Sequence, residues 1–358
     1  MATMNDVARL ARVSVSTVSY VLTGARPISQ ATRDKVLAAM AELGYQPHAM
    51  ARGLASRRSR ILGLLLPMDE RGFGATETAF VTGAVAAASA AGYHLVLSPV
   101  GVDDLDAVRR LATQRMIDGA LLMEVQFDDE RVDVLHQAGV PLVLIGRTAD
   151  PSTLPYVDID FDQTVRDAVD HLVGLGHRGI VYVNHSAATV ASGYGPALRT
   201  RDAFAAAMTG HGLRPLMIPA DDSAAGGRRA VTTALEQAPD LTAVLAMNEN
   251  ALFGVLAELA VRGRTVPDDV SVVSMVTSPQ VAELATPALT AMTSPGSAMG
   301  RIAVEALLRR LDGDTAAPHQ QLLPCALEIR GSSGPPPGPD RPVQQHETRA
   351  PRPRPPAT

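Results

Sequence analysis

From residue 60 onward, short apolar runs alternate with longer amphipathic stretches. The runs are "ILGLLLP", "YHLVLSP", "GALLM", "PLVLIG", "GIVYV", "LTAVLAM" and "VSVVSM". They are apolar throughout rather than at every second position, the pattern of strands covered on both faces. Between them lie "TAFVTGAVAAASAAG", "DAVRRLATQRM", "TVRDAVDHLVGLG" and "ALFGVLAELAVRG", with helical spacing. This order predicts βαβ units and parallel sheet. The series is too long for one sheet of ordinary width, so two sheets in two lobes are expected.

The first 46 residues have a different texture and predict three short helices. "TMNDVARLA" has Thr3 as N-cap and Asp6 three residues on, followed by Val7, Leu10 and Ala11. "PISQATRDKVLAAMAELGY" has Ser29 as N-cap, Val36, Leu37, Met40 and Leu43 as its apolar positions, and Gly44 as its stop. Between them, "VSVSTVSYVLTG" alternates valine with serine or threonine, superficially a strand. A lone strand between two helices has no partner. With Ser14 as N-cap, Val18, Val21 and Leu22 fall on one helical face, while Val15, Ser16, Ser19 and Tyr20 point elsewhere. Two short helices with a tight connection, the second bearing small polar outer residues, predict a helix-turn-helix.

Charge supports this division. The chain carries a net charge of −5, yet residues 1–60 hold nine Lys+Arg against three Asp+Glu, and the remainder is net −11. A basic head on an acidic body suggests a polyanion partner for the head. With 46% hydrophobic and 19% charged residues the chain is expected to be globular. No apolar run is long enough for a membrane span, no secretory signal is evident, and Cys325 is the single cysteine. These features predict a cytoplasmic, nucleoid-associated protein with no membrane partner. After Ser333 the Pro- and Arg-rich tail predicts disorder.

Enzyme readings find little in the residues. "GFGATE" begins like a dinucleotide-binding G-x-G-x-x-G, the alternative of a Rossmann-type nucleotide-dependent enzyme, but Glu77 replaces the third glycine. No G-x-S-x-G elbow, HExxH or Cys/His cluster occurs. No catalytic residue, cofactor or metal is therefore expected. An exported solute-binding protein would share the body's pattern but not a basic head.

"MNDVARLARVSVSTVSYVLTG", with "PISQATRDKVLAAMAELGYQPHAMARGLASRRSRILGLLLP", resembles the head of the LacI/GalR family of transcriptional regulators. "HLVGLGHRGIVYV", "PDDVSVVSM" and "PALTAMTSPGSAMGRIAVEALLRRL" follow in the family's order, so the resemblance covers about residues 3–331. It implies an all-α helix-turn-helix head and an α/β periplasmic-binding-protein-like type I body, each lobe a parallel sheet flanked by helices. The divisions expected are a head at 1–46, a hinge at 47–59, an effector-binding and dimerisation body at 60–331 and a disordered tail at 332–358. Lobe one would take about 60–159 plus 290–322, and lobe two about 160–289 plus 323–331.

The resemblance implies a homodimeric repressor of a palindromic double-stranded operator, controlled by a small-molecule effector such as a sugar or related metabolite. Val15, Ser16 and Tyr20 occupy the base-reading positions, with tyrosine where arginine is usual; Thr17, Ser19 and Arg26 would meet phosphates. In the hinge, Leu54 would wedge the minor groove while Arg52, Arg57 and Arg58 face phosphates. Effector liners at the carboxyl ends of strands would be Phe73, Glu77, Phe80, Arg147, Asp160, Phe161, Arg199, Arg201, Asn248 and Val276. Thr200 falls where a sugar-binding arginine is usual, and Val276 where the usual effector-contacting aspartate falls. A valine cannot accept from sugar hydroxyls, which argues against an ordinary hexose inducer. Dimer contacts would use "TAFVTGAVAAASAAG" and "AFAAAMTGHGL".

Overall fold

The computed structural model describes residues 2–23, 26–45, 58–67, 74–114 and 116–338. The head holds three helices: α1 (Met4–Ala11), α2 (Val15–Thr23) and α3 (Gln30–Leu43). Thr3 and Asp6 form the expected capping box on α1, and Arg12 ends it in the left-handed region at φ 55°. Ser14 Oγ accepts from the Thr17 backbone N–H at 3.1 Å, so α2 starts where the N-cap argument placed it. Val7, Ala8, Ala11, Val18, Val21, Val36, Ala39 and Tyr45 form the head's buried core. Leu10 and Leu37, expected on the apolar faces, are 41% and 48% exposed. Three helices this short share one small core, and positions on the far flank of each face fall outside it.

The body begins with β1 (Ile61–Leu66), α4 (Ala75–Ala90), β2 (His94–Pro99), α5 (Leu105–Thr113), β3 (Gly119–Leu122), α6 (Glu130–Gln137), β4 (Leu142–Ile145) and β5 (Tyr156–Ile159). It continues through α7 (Phe161–Gly174), β6 (Ile180–Asn184), α8 (Ala187–Ala191), α9 (Gly195–Gly210), β7 (Leu216–Pro219), α10 (Ala224–Gln237), β8 (Ala243–Ala246) and α11 (Glu249–Val261). Then follow β9 (Ser271–Thr277), α12 (Pro279–Leu284), β10 (Thr290–Thr293), α13 (Gly296–Leu311), β11 (Gln320–Leu323) and β12 (Ala326–Glu328).

Two six-stranded sheets result, in the orders β11-β5-β4-β3-β1-β2 and β12-β10-β9-β8-β6-β7. All described pairings are parallel except β10 with β12, which is antiparallel. The central strands are buried along their length, as uniformly apolar runs require. α4 and α13 pack at backbone distance: a Cβ on Gly83 would meet the Ser297 carbonyl oxygen at 2.0 Å.

Two expected boundaries move. β10 pairs with β9 and β12, so residues 290–293 belong to the second sheet rather than to lobe one. The chain re-enters lobe one only with α13, which packs on α4. Nor does the tail begin at 332. Ser332 is fully buried, accepting from Thr290 N–H at 2.8 Å, and its carbonyl accepts from Val272 N–H at 2.7 Å. Gly334 donates its N–H to Ser271 Oγ at 3.0 Å, and its carbonyl lies 2.9 Å from His177 Nε2. This segment straps the second sheet. Its low apolar content hid the strap, because polar pairing rather than apolar burial holds it.

Candidate nucleic-acid interface and inter-lobe cleft

On α2, Val15 and Ser16 are exposed, while Thr17, Ser19 and Tyr20 are half-buried. The face that does not pack on the head's core thus carries the residues expected to read bases. Ser14 Oγ lies 2.9 Å from Ser16 Oγ and 2.8 Å from Thr17 Oγ1, so the three hydroxyls form one cluster at the helix start. Arg26 is exposed, with its guanidinium 5.2 Å from the centre of the Tyr20 ring. That cation–π contact joins an expected base reader to an expected phosphate contact, and no spacing rule announced it.

Arg52, Leu54, Arg57 and Phe73 lie outside the described residues. Arg58, expected to face phosphates, is engaged within the body. Its guanidinium donates to Asp312 at 3.0 Å and to the Leu311 carbonyl, which ties it to the end of α13. The Asp312 carboxylate raises its pKa, the usual result of an anionic partner.

Glu77, Asn248 and Val276 converge between the lobes. Glu77 sits in the first turn of α4 in lobe one, and Glu249 in the first turn of α11 in lobe two. A Cβ on Gly74 would lie 2.4 Å from a Glu77 carboxylate oxygen and 3.7 Å from one of Glu249. Burial, then repulsion from Glu77, pushes the Glu249 carboxyl up to about 7, and the Ser278 and Ala75 backbone amides oppose that rise. Asn248 caps α11 through Oδ1, accepting from Ala251 N–H at 3.0 Å. Val276 holds φ 50°, a left-handed conformation rare for a β-branched residue. Its carbonyl accepts from Thr76 Oγ1 across the lobes at 3.1 Å.

Other expected liners serve the scaffold. Phe80 and Phe161 are 8% and 1% exposed and belong to the large apolar core, because each helix turns that face toward its sheet. Asp160 caps α7, accepting from Gln163 N–H at 3.0 Å. Arg147 pairs with Asp158 at 3.1 Å; desolvation raises that buried carboxyl to about 6, against the pull of Arg199 and Arg147. Arg199 donates to the Arg147 and Thr148 carbonyls at 3.0 and 2.9 Å and lies 4.6 Å from the centre of the Phe127 ring. Arg201 is spent on its neighbour Asp202 at 2.7 Å, half exposed on the outer side of α9. Neighbours along a helix point in different directions, so two arginines two residues apart could not both face the cleft.

Sequence reading missed the bridge that joins the lobes. Phe127 N–H donates to the Gly193 carbonyl at 2.8 Å and Gly195 N–H to the Val125 carbonyl at 3.2 Å. The loop after β3 is held by Arg131, fully buried, which donates to Asp129 at 2.9 and 2.7 Å and to the Glu124 carbonyl at 3.0 Å. On the facing side, Tyr194 and His185 meet edge to face at 5.4 Å. Burial keeps both rings neutral, lowering His185 to about 4 and raising Tyr194.

A helix-turn-helix head joined to two such lobes has close counterparts among known proteins. The profile of bacterial regulatory proteins of the lacI family matches residues 3–48, and that of the periplasmic binding protein-like domain matches residues 169–333. The transcriptional regulator CelR of Thermobifida fusca is 34% identical over 92% of this chain and 98% of its own length. The chain belongs to the LacI family. Catabolite control protein A of Priestia megaterium is 29% identical over 92% of this chain and 99% of its own. The lac repressor dimer bound to operator and the anti-inducer ONPF superposes with a TM-score of 0.78 at 25% identity, covering 93% of this chain and 99% of that one. A CelR–cellobiose complex gives 0.69 at 30%, covering 93% and 100%. This LacI-family protein is thus a DNA-binding transcriptional regulator. None of its described helices is long and apolar enough to cross a membrane.

Proposed function

We propose that this regulator represses transcription by binding a palindromic operator as a homodimer, with a small effector between its lobes altering operator affinity. The observation that carries the reading is the exposed edge of α2, Val15 and Ser16 beside Tyr20, on a head joined to a two-lobed body. Short side chains on that edge let a helix approach base edges in the major groove. Leu54 is the proposed minor-groove wedge, on the strength of the family resemblance alone. The chain would act by binding rather than catalysis, in the compartment that holds the chromosome.

Exposed apolar side chains support the dimer. Val85 on α4 with Val96 and Leu97 on the edge strand β2 would serve lobe one; Phe253 on α11 and Leu284 on α12 would serve lobe two. The outer flank of α9, by contrast, borders a groove with Asp162, Arg166, Asp170 and His211. Effector coupling requires different effector affinities for the two lobe arrangements.

Genome-wide site mapping with the purified protein tests the reading. The expected result is a shared palindromic motif. Exchanging Val15, Ser16 and Tyr20 together should redirect that motif and leave dimerisation intact. An unchanged site preference would refute the base-reading assignment.

A further inference from the structure

Acidic side chains gather between the lobes. Glu77 and Glu249 enter from opposite lobes and converge on Gly74. Glu77, Glu124, Asp158 and Asp222 all act electrostatically on Tyr194, and Glu77 and Asp222 act on Glu249. Among the described residues, the Arg147 guanidinium is engaged with Asp158 and that of Arg199 with two backbone carbonyls. Half-buried His185 is held neutral by desolvation. The N-termini of α4 and α11, which would attract an anion, already carry Glu77 and Glu249 in their first turns.

A second observation is independent of charge. Asn248 is 1% exposed, yet its Nδ2 has no partner among the described residues, and it stands at the same helix start as Glu249. Gln126 Oε1, on the loop that bridges to Tyr194, and Glu249 Oε1 are likewise buried without a donor. Buried polar atoms are normally paired. Here one donor and two acceptors await a molecule that offers both.

We propose that the cleft binds a hydroxyl-bearing small molecule with a protonated amine, an amino sugar or amino polyol, its ammonium held by Glu77 and Glu249 and one hydroxyl oxygen by Asn248. The proposal rests on the effector reading above and specifies the effector's charge. An ammonium offers three donors and no acceptor, which suits two carboxylates. A neutral sugar leaves the carboxylates' repulsion unrelieved, and a sugar phosphate adds to it.

Calorimetry on the full-length protein at pH 7.5 tests the proposal with glucosamine, N-acetylglucosamine, glucose and glucose 6-phosphate. Glucosamine is expected to bind at least tenfold more tightly than the other three. Glu77→Gln and Glu249→Gln should each weaken it tenfold or more, while the surface variant Glu305→Gln should not. Glucose, the acetylated sugar or the phosphate binding as tightly as glucosamine overturns the proposal, as does no saturable glucosamine binding. Operator release by glucose but not glucosamine also overturns it, yet upholds the effector reading. Tight glucosamine binding without any change in operator affinity upholds the charge assignment and defeats the effector reading.

Discussion

Thr76 donates its hydroxyl to the carbonyl of Val276 at 3.1 Å, tying the first helix of one lobe to the last residues of a central strand in the other. The Val276 carbonyl is presented by a backbone at φ 50°. A left-handed conformation costs a residue with a Cβ about 1–2 kcal/mol. Val276→Gly should therefore be more stable than Val276→Ala by about 1 kcal/mol, the reverse of the order in ordinary backbone. Thermal melts of the two variants check this; alanine equal to or above glycine would show that the conformation carries no strain. Thr76→Val should lose about 1 kcal/mol of lobe closure, read as a larger radius of gyration in small-angle scattering.

The buried pair Arg131–Asp129 anchors the loop that bridges the lobes, with both side chains almost wholly inaccessible. Removing one partner strands the other charge. Asp129→Ala should cost about 3–5 kcal/mol in denaturant unfolding, and Arg131→Met combined with Asp129→Leu should recover much of it. A single variant within about 1 kcal/mol of the parent would contradict the anchoring role.

Stability should depend on pH through Glu249. Its carboxyl sits at about 7 in the fold, above its ordinary value, because of burial and then Glu77. Between the ordinary glutamate range and pH 7, the folded chain holds a proton that the unfolded chain has released. Stability therefore falls as pH rises through that window. Glu249→Gln should flatten this decline, with the largest gain over the parent near pH 7.5. Melting curves from pH 4.5 to 7.5 measure it, and parallel declines in both proteins would refute it.

The strap of residues 332–334 should matter to stability where the remainder of the tail does not. Ending the chain at Gly331 removes the partners of the Thr290 and Val272 N–H groups and one of the three partners of His177. The expected loss is roughly 3 kcal/mol, since each buried group left unpaired costs about 1–3 kcal/mol. Ending it at Gly338 should leave the melting temperature unchanged. Equal melting temperatures for the two truncations would show that the strap holds nothing.

Local patterns were legible in the chain. Thr3, Ser14 and Ser29 each accept the backbone N–H that their capping positions imply, because caps depend on residues three apart. The uniformly apolar runs became strands of two parallel sheets, because burial on both faces leaves that mark on composition. The cleft was legible in part. Glu77, Asn248 and Val276 do converge there, whereas Phe80 and Phe161 turn into the core and Arg201 turns outward.

By itself, the sequence determined the head's three helices, the serine that turns an apparent strand into α2, and the succession of strands and helices in the body. These rest on short-range periodicity and capping. Only the tertiary structure decided which sheet receives β10, that Ser332–Gly334 strap lobe two, and that Glu77 meets Glu249 across the lobes. Those relations join residues as much as about 170 positions apart, and no local period encodes them. The same holds in miniature for Tyr20: helical spacing placed it on the outer edge of α2, but folding laid Arg26 over its ring.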